Sequence, residues 1–83
     1  MAEQRRDVRK KCNQKCVLNF ADLHFFAELK DISISGVLLR PDNRIGSIHV
    51  GDKCFVGMGG DPPHKLLCEV VRIDGSNIGM KIV

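Results

Sequence analysis

Turn chemistry breaks into this chain at short intervals, and that spacing limits what it can fold into more than any other feature. Ala21-Asp22, Ser35-Gly36, Val50-Gly51-Asp52, Gly59-Gly60-Asp61-Pro62-Pro63 and Asp74-Gly75-Ser76-Asn77 separate stretches rich in Val, Ile, Leu, Phe and Cys. Within a stretch such as Phe25, Ala27 and Leu29, apolar residues fall at every second position while Glu28 and Lys30 lie between them, the alternation of a half-buried strand. No stretch carries a convincing amphipathic helical period. The pattern predicts strands near residues 12–20, 23–31, 36–40, 53–58, 65–73 and 78–83, with 41–49 a loop holding one helical turn. Six short strands with tight connections favour an all-β antiparallel barrel or sandwich, and a small six-stranded barrel leaves the fewest open edges.

With 83 residues the chain is one small domain whose single core is sufficient without being generous. Hydrophobic residues at 43% and charged residues at 28% place it among ordinary globular chains. No apolar run is long enough to span a bilayer, and MAEQRRDVRKKC carries charge without an apolar run behind it. The expectation is a cytoplasmic protein with no membrane partner.

The formal charge of +3 is unevenly placed. Residues 1–16 hold Arg5, Arg6, Arg9, Lys10, Lys11 and Lys15 against Glu3 and Asp7, whereas the remainder is nearly neutral. The chain therefore reads as a basic arm over residues 1–11 and a barrel over 12–83. Such an arm suits an anionic ligand: phosphate, nucleic acid or a lipid surface. Residues 2–10 offer only Val8 besides Ala2 as apolar surface, so the arm is expected to be flexible without ligand.

Four cysteines in so short a chain raise the question of metal. If residues 12–16 are extended, Cys12 and Cys16 lie about 13 Å apart and share neither a metal nor a disulfide. A helical turn would bring them together, which leaves zinc open at this point; free thiols packed in or near the core are the simpler reading. His24, His49 and His64 are scattered, without metal-ligand spacing or a neighbouring nucleophile. They read as surface or turn residues, and neither a catalytic set, a metal site nor a cofactor is expected.

The alternation fails at Lys30-Asp31-Ile32-Ser33-Ile34-Ser35-Gly36. A continued register would bury Asp31 and Ser33 and expose Ile32 and Ile34, leaving a carboxylate in the core. A bulge or turn that directs Asp31 and Ser33 outward, and returns Ile32 and Ile34 to the core, removes the conflict. Taken alone, Asp31 and Ser33 also fit a turn-capping pair, and Gly36 a hairpin glycine.

Upstream stands Arg5-x-x-x-Arg9, and the broken strand supplies Asp31-x-Ser33-x-x-Gly36. This pairing resembles the two signatures of the PilZ domain family, RxxxR ahead of a barrel and [DN]-x-S-x-x-G within it. Ile78-Gly79-Met80-Lys81-Ile82 is similar to the family's last strand. The resemblance implies a bacterial receptor for cyclic di-GMP built on a six-stranded β-barrel. It implies that Arg5 and Arg9 clamp guanines and phosphates from the arm, that Asp31 and Ser33 meet them from the barrel, and that Gly36 permits close approach of ligand or neighbouring chain. Arginine suits that role because its planar cation pairs with guanine O6 and N7, stacks, and holds phosphate. Arg6 and Arg40 lie outside the matched positions and rank as additional phosphate contacts on charge alone.

With no catalytic set, the expected output is a changed surface offered to an effector protein. The runner-up is a nucleic-acid-binding barrel with a basic arm. It is weakened because Phe20, Phe25, Phe26 and Phe55 are the only aromatics, so no Trp or Tyr provides a stacking platform.

Overall fold

The alternation becomes strand in the computed structural model of the chain, which describes residues 10–60 and 64–83. Six strands form: β1 Lys10–Phe20, β2 Leu23–Ile32, β3 Gly36–Pro41, β4 Lys53–Met58, β5 His64–Asp74 and β6 Asn77–Ile82. Their ends depart from the expected ones by no more than two residues. The connection from β3 to β4 holds turns at 46–47 and 50–51 and no helical turn, contrary to expectation. Its Ile45 and Ile48 are buried, so apolar packing of these two side chains holds it, with no need for a helical hydrogen bond.

The strands close in the order β1-β2-β3-β6-β5-β4, and every neighbouring pair is antiparallel. Closure removes the sheet edges that an open arrangement would leave as templates for association. Each strand sends a pair of residues two apart into the interior: Cys16 and Leu18, Ala27 and Leu29, Val37 and Leu39, Cys54 and Val56, Cys68 and Val70, Ile78 and Met80. The chain has few large side chains to fill a wide barrel. Its small Ala and Cys residues instead let Leu18, Leu29 and Leu39 meet in a narrow one.

All four cysteines are free thiols; Cys16, Cys54 and Cys68 are buried, and Cys12 is half-buried with its thiol directed at the Leu29 carbonyl, 3.6 Å away. Cys54 and Cys68 face each other across β4 and β5. Burial pushes the Cys16 and Cys54 thiols up to about 11, with smaller contributions from Asp42 and Cys12 at Cys16 and from Cys68 and Asp52 at Cys54. Burial also raises Cys68. These thiols are therefore neutral packing groups at ordinary pH.

The register is regular in both ladders of β4, whereas on the other side of the barrel only β3–β6 stays in step. The β1–β4 and β4–β5 ladders run without a shift, as does β3–β6. Shifts occur between Lys11 and Gln14 of β1, between Leu29 and Asp31 of β2, and between Val70 and Arg72 of β5. Each inserts one residue more than the partner strand has, which is a β-bulge.

Candidate functional site

The three bulges fall on one lateral row. Lys11 pairs with Asp31, Asp31 with Leu38, Leu38 with Gly79 and Gly79 with Arg72, so a line of outer-wall residues crosses β1, β2, β3, β6 and β5. In β2 the extra residue is Lys30. Leu29 still faces Leu39 inside, but Asp31 now faces Leu38 on the outer wall, and Ile32 comes back opposite buried Val37. The bulge expected from the sequence thus turns the carboxylate out and Ile32 in.

The rest of that expectation is overturned. Ile34 does not return to the core: it is 87% exposed, the most exposed large apolar side chain among the described residues. Ser33 does not point out: it is 8% exposed. Both reversals come from the turn that joins β2 to β3. The Ser33 amide donates to the Gly36 carbonyl at 2.8 Å, while the Ser33 hydroxyl lies 3.3 Å from the donating amides of Ser35 and Gly36. The same hydroxyl is 3.4 Å from the Gly36 carbonyl and 3.3 Å from the Ser35 hydroxyl. A serine that satisfies the backbone of so tight a turn is drawn beneath it, and the residue at the tip is forced into solvent. The turn-capping alternative for Ser33 therefore describes its geometry.

Gly36 is required by the neighbouring strand. A Cβ there would stand 2.3 Å from the Met80 carbonyl oxygen, inside any real contact distance, and the obstacle is β6 backbone. The Ile82 amide donates to the Ser35 carbonyl at 2.8 Å, which ties the turn to the same strand. The last residue of the motif thus lets β3 start flush against β6.

Two open cavities lie along the row. One, of about 390 Å³, is lined by Asp31, Ser35, Gly36, Val37, Leu38, Val71, Arg72, Gly79, Met80 and Lys81. The other, of about 400 Å³, is lined by Lys11, Cys12, Asn13, Lys30, Asp31, Leu38 and Asn77. Asp31 and Leu38 belong to both, so the carboxylate stands on the ridge between them. Each is of the size that holds a small-molecule ligand. Lys11, Lys30, Lys81 and Arg72 surround the single Asp31 carboxylate, which makes the surface cationic with one acceptor near its centre. Lys30 is held in place by Asn13 Oδ1 at 3.0 Å and Glu28 Oε1 at 3.4 Å.

Of the residues singled out from the sequence, Asp31, Ser33 and Gly36 come together here. Arg40 does not. It stands at the far end of β3, opposite Glu28, and lines a separate crevice of about 390 Å³ with Arg44, Ile45, Ile48 and Ile73. Arg5, Arg6 and Arg9 lie outside the described residues. Sequence reasoning did not single out Leu38, Arg72, Asn77, Gly79 or Lys81, and took Lys11 only as part of the charge of the arm. Nothing local marks them, because they meet Asp31 only through strand pairing and the bulges that set its phase.

Among the described residues no group of His, Cys, Asp and Glu could hold a metal ion, and no helix is long and apolar enough to cross a membrane. The family model of the PilZ domain matches residues 3–83, nearly the whole chain. The chain belongs to the PilZ domain family, a family of cyclic di-GMP receptors whose domain binds and does not catalyse. No curated protein matches it.

Proposed function

We propose that this chain is a cyclic di-GMP receptor of the cytoplasm, binding its ligand on the bulged wall and reporting it to an effector protein. The observation that carries the reading is the position of Asp31, turned outward by the Lys30 bulge onto a ridge between two cavities with Lys11, Lys30, Lys81 and Arg72 around it. An ionised carboxylate only accepts hydrogen bonds, and guanine offers it donors at N1 and N2. The surrounding cations suit the two bridging phosphates. Arg5 and Arg9 close over the ligand from the arm, Ser33 acts by holding the turn beside it, and Gly36 by seating β3 against β6. Arg6 adds charge to the arm.

Ligand binding then orders residues 4–10, trading chain entropy for charge-assisted hydrogen bonds, and the ordered arm is the new surface an effector meets. Calorimetric titration with cyclic di-GMP, using GMP and GTP as controls, tests the receptor assignment. Saturable binding of the cyclic dinucleotide alone is expected, and its absence from the folded protein sinks the reading. NMR relaxation of residues 4–10 with and without ligand tests the switch; equal order in both states defeats it.

A second reading, nucleic-acid binding, is favoured by one observation: Phe26 and Phe55 are 67% and 47% exposed, so aromatic faces are available after all. Phe55 lies on the regular wall and Phe26 near the end of β2 remote from Asp31. Saturable binding of a short single-stranded oligonucleotide that is lost in Phe55→Ala would favour it over cyclic di-GMP.

A further inference from the structure

Each bulge on the site wall costs a ladder position, and the one in β5 is the least explained by the motif. Val70 faces Met80 inside the barrel, so without the bulge Val71 would stand opposite Gly79 on the outer wall and Arg72 would turn towards the interior row of Ile78. The inserted Val71 instead places Arg72 opposite Gly79. Barrel curvature alone explains a bulge; it does not explain why the side chain so delivered is an arginine and its partner a residue without a side chain. The Arg72 chain drapes across that gap. Its Cβ, Nε and one terminal nitrogen, Nη2, all lie 3.7 Å from the point where a Cβ on Gly79 would be.

Among the described residues the Arg72 side chain makes no ion pair or hydrogen bond, so its donors are uncommitted in a cavity that Asp31 also lines. Three inter-strand steps separate the two residues, a span of about 14 Å between their backbones. Leu38 and Gly79 lie between them on the outer wall. A carboxylate such as Asp31 accepts hydrogen bonds, and a guanidinium such as Arg72 donates them. Guanine carries partners for both on adjacent edges: N1 and N2 donors on one, O6 and N7 acceptors on the next. Adenine places a donor, N6, beside N7, so it meets an arginine with a donor against a donor.

We propose that Arg72 is a specificity-determining residue, pairing with O6 and N7 of the guanine whose N1 and N2 edge faces Asp31, while Gly79 keeps the floor between them flat. This rests on the cyclic di-GMP reading, and the test separates the two. The full chain, its Arg72→Ala and Arg72→Lys variants, and Arg44→Ala as a control at the far crevice are titrated with cyclic di-GMP and, in competition, with cyclic di-AMP. Melting curves establish that each variant is folded.

Arg72→Ala is expected to weaken cyclic di-GMP by about tenfold or more while cyclic di-AMP changes little, so that preference for guanine collapses. Arg72→Lys should restore only part of the affinity, since a point charge holds phosphate but cannot pair bidentately with a base. Arg44→Ala should match the unaltered chain. A chain that binds no cyclic di-GMP overturns the functional reading itself, and this inference with it. Binding by the unaltered chain with Arg72→Ala within about twofold of it overturns the inference alone. Equal losses for both dinucleotides, or full recovery with lysine, also overturn it, because Arg72 would then be a phosphate charge and no reader of bases.

Discussion

The two walls of this barrel are built by different rules. On the β4 side, both ladders run without interruption, and the outer wall pairs Phe55 with Leu67 and Lys53 with Glu69, ordinary cross-strand neighbours. On the β2–β3–β6 side, bulges in β1, β2 and β5 converge on a single row, and the outer wall there carries Lys11, Asp31, Gly79 and Arg72 around two cavities. Both walls line the same core, with two interior side chains from every strand. The difference teaches that stability and recognition are divided between ladders. Unbroken pairing holds the barrel, while broken pairing aims side chains that unbroken pairing would have misplaced.

The comparison breaks most visibly if a core substitution alters binding as much as folding. Leu18→Ala, in the strand that pairs with both β2 and β4, should cost about 2–5 kcal/mol of stability by leaving a cavity. Chemical denaturation measures that loss, and cyclic di-GMP affinity measured well below the new melting temperature should be nearly unchanged.

Gly36→Ala falls within the bulged wall itself. Its Cβ would collide with the Met80 carbonyl, so β3 and β6 must separate at the mouth of the site. A loss of about 1–3 kcal/mol is expected from the overpacking. Unlike Leu18→Ala, it should weaken ligand binding as well, because the Ser33–Gly36 turn moves with it. Denaturation and titration of one sample check both.

Substitutions on the two outer walls sharpen the contrast. Asp31→Ala should remove about 1–3 kcal/mol of binding, roughly tenfold or more in affinity, with little change in melting temperature. Phe55→Ala on the regular wall should leave affinity within about twofold. Equal effects in calorimetry would indicate that ligand spreads over the whole surface.

Alkali probes the interior that the walls share. The folded pKa of Cys16 and Cys54 is raised to about 11 from an ordinary value of 9.0, and that of Cys68 is raised too, first of all by burial. A raised folded value means that the neutral thiol is favoured by folding, so the contribution is complete below pH 9 and is lost as pH rises towards 11. Denaturant midpoints across that range should fall, and Cys54→Ser should flatten the decline.

The smallest effect is expected at the β1–β2 hairpin, where Ala21 holds φ at +56°. An L side chain is strained there, and the corresponding place in the β5–β6 turn, with φ at +61°, is Gly75. Ala21→Gly should gain up to about 1 kcal/mol, read as a slightly higher melting temperature with binding unaffected.

The strands were legible because their signals are local. Alternation in Phe25, Ala27 and Leu29, and turn residues such as Gly75 and Ser76, constrain backbone within a few positions of themselves, and no distant contact reverses them. The buried pairs follow by parity. Asp31 and Gly36 were legible as a motif, and the conflict of a carboxylate in a core register was enough to require a bulge before it. Ile34 and Ser33 were misjudged because hydrophobicity was set against the hydrogen bonds of a three-residue turn, and within that span the backbone's need for partners decides which side chain is buried.

Tertiary structure alone decided the row from Lys11 to Arg72. Its residues are up to 61 positions apart in the chain, and each reaches the outer wall through a register that two strands set together. Where a bulge falls depends on how the whole sheet closes, so no strand read by itself reveals that Arg72 lies over Gly79. The sequence determined that this chain would be a barrel carrying Asp31 at a turn; closure determined what Asp31 would face.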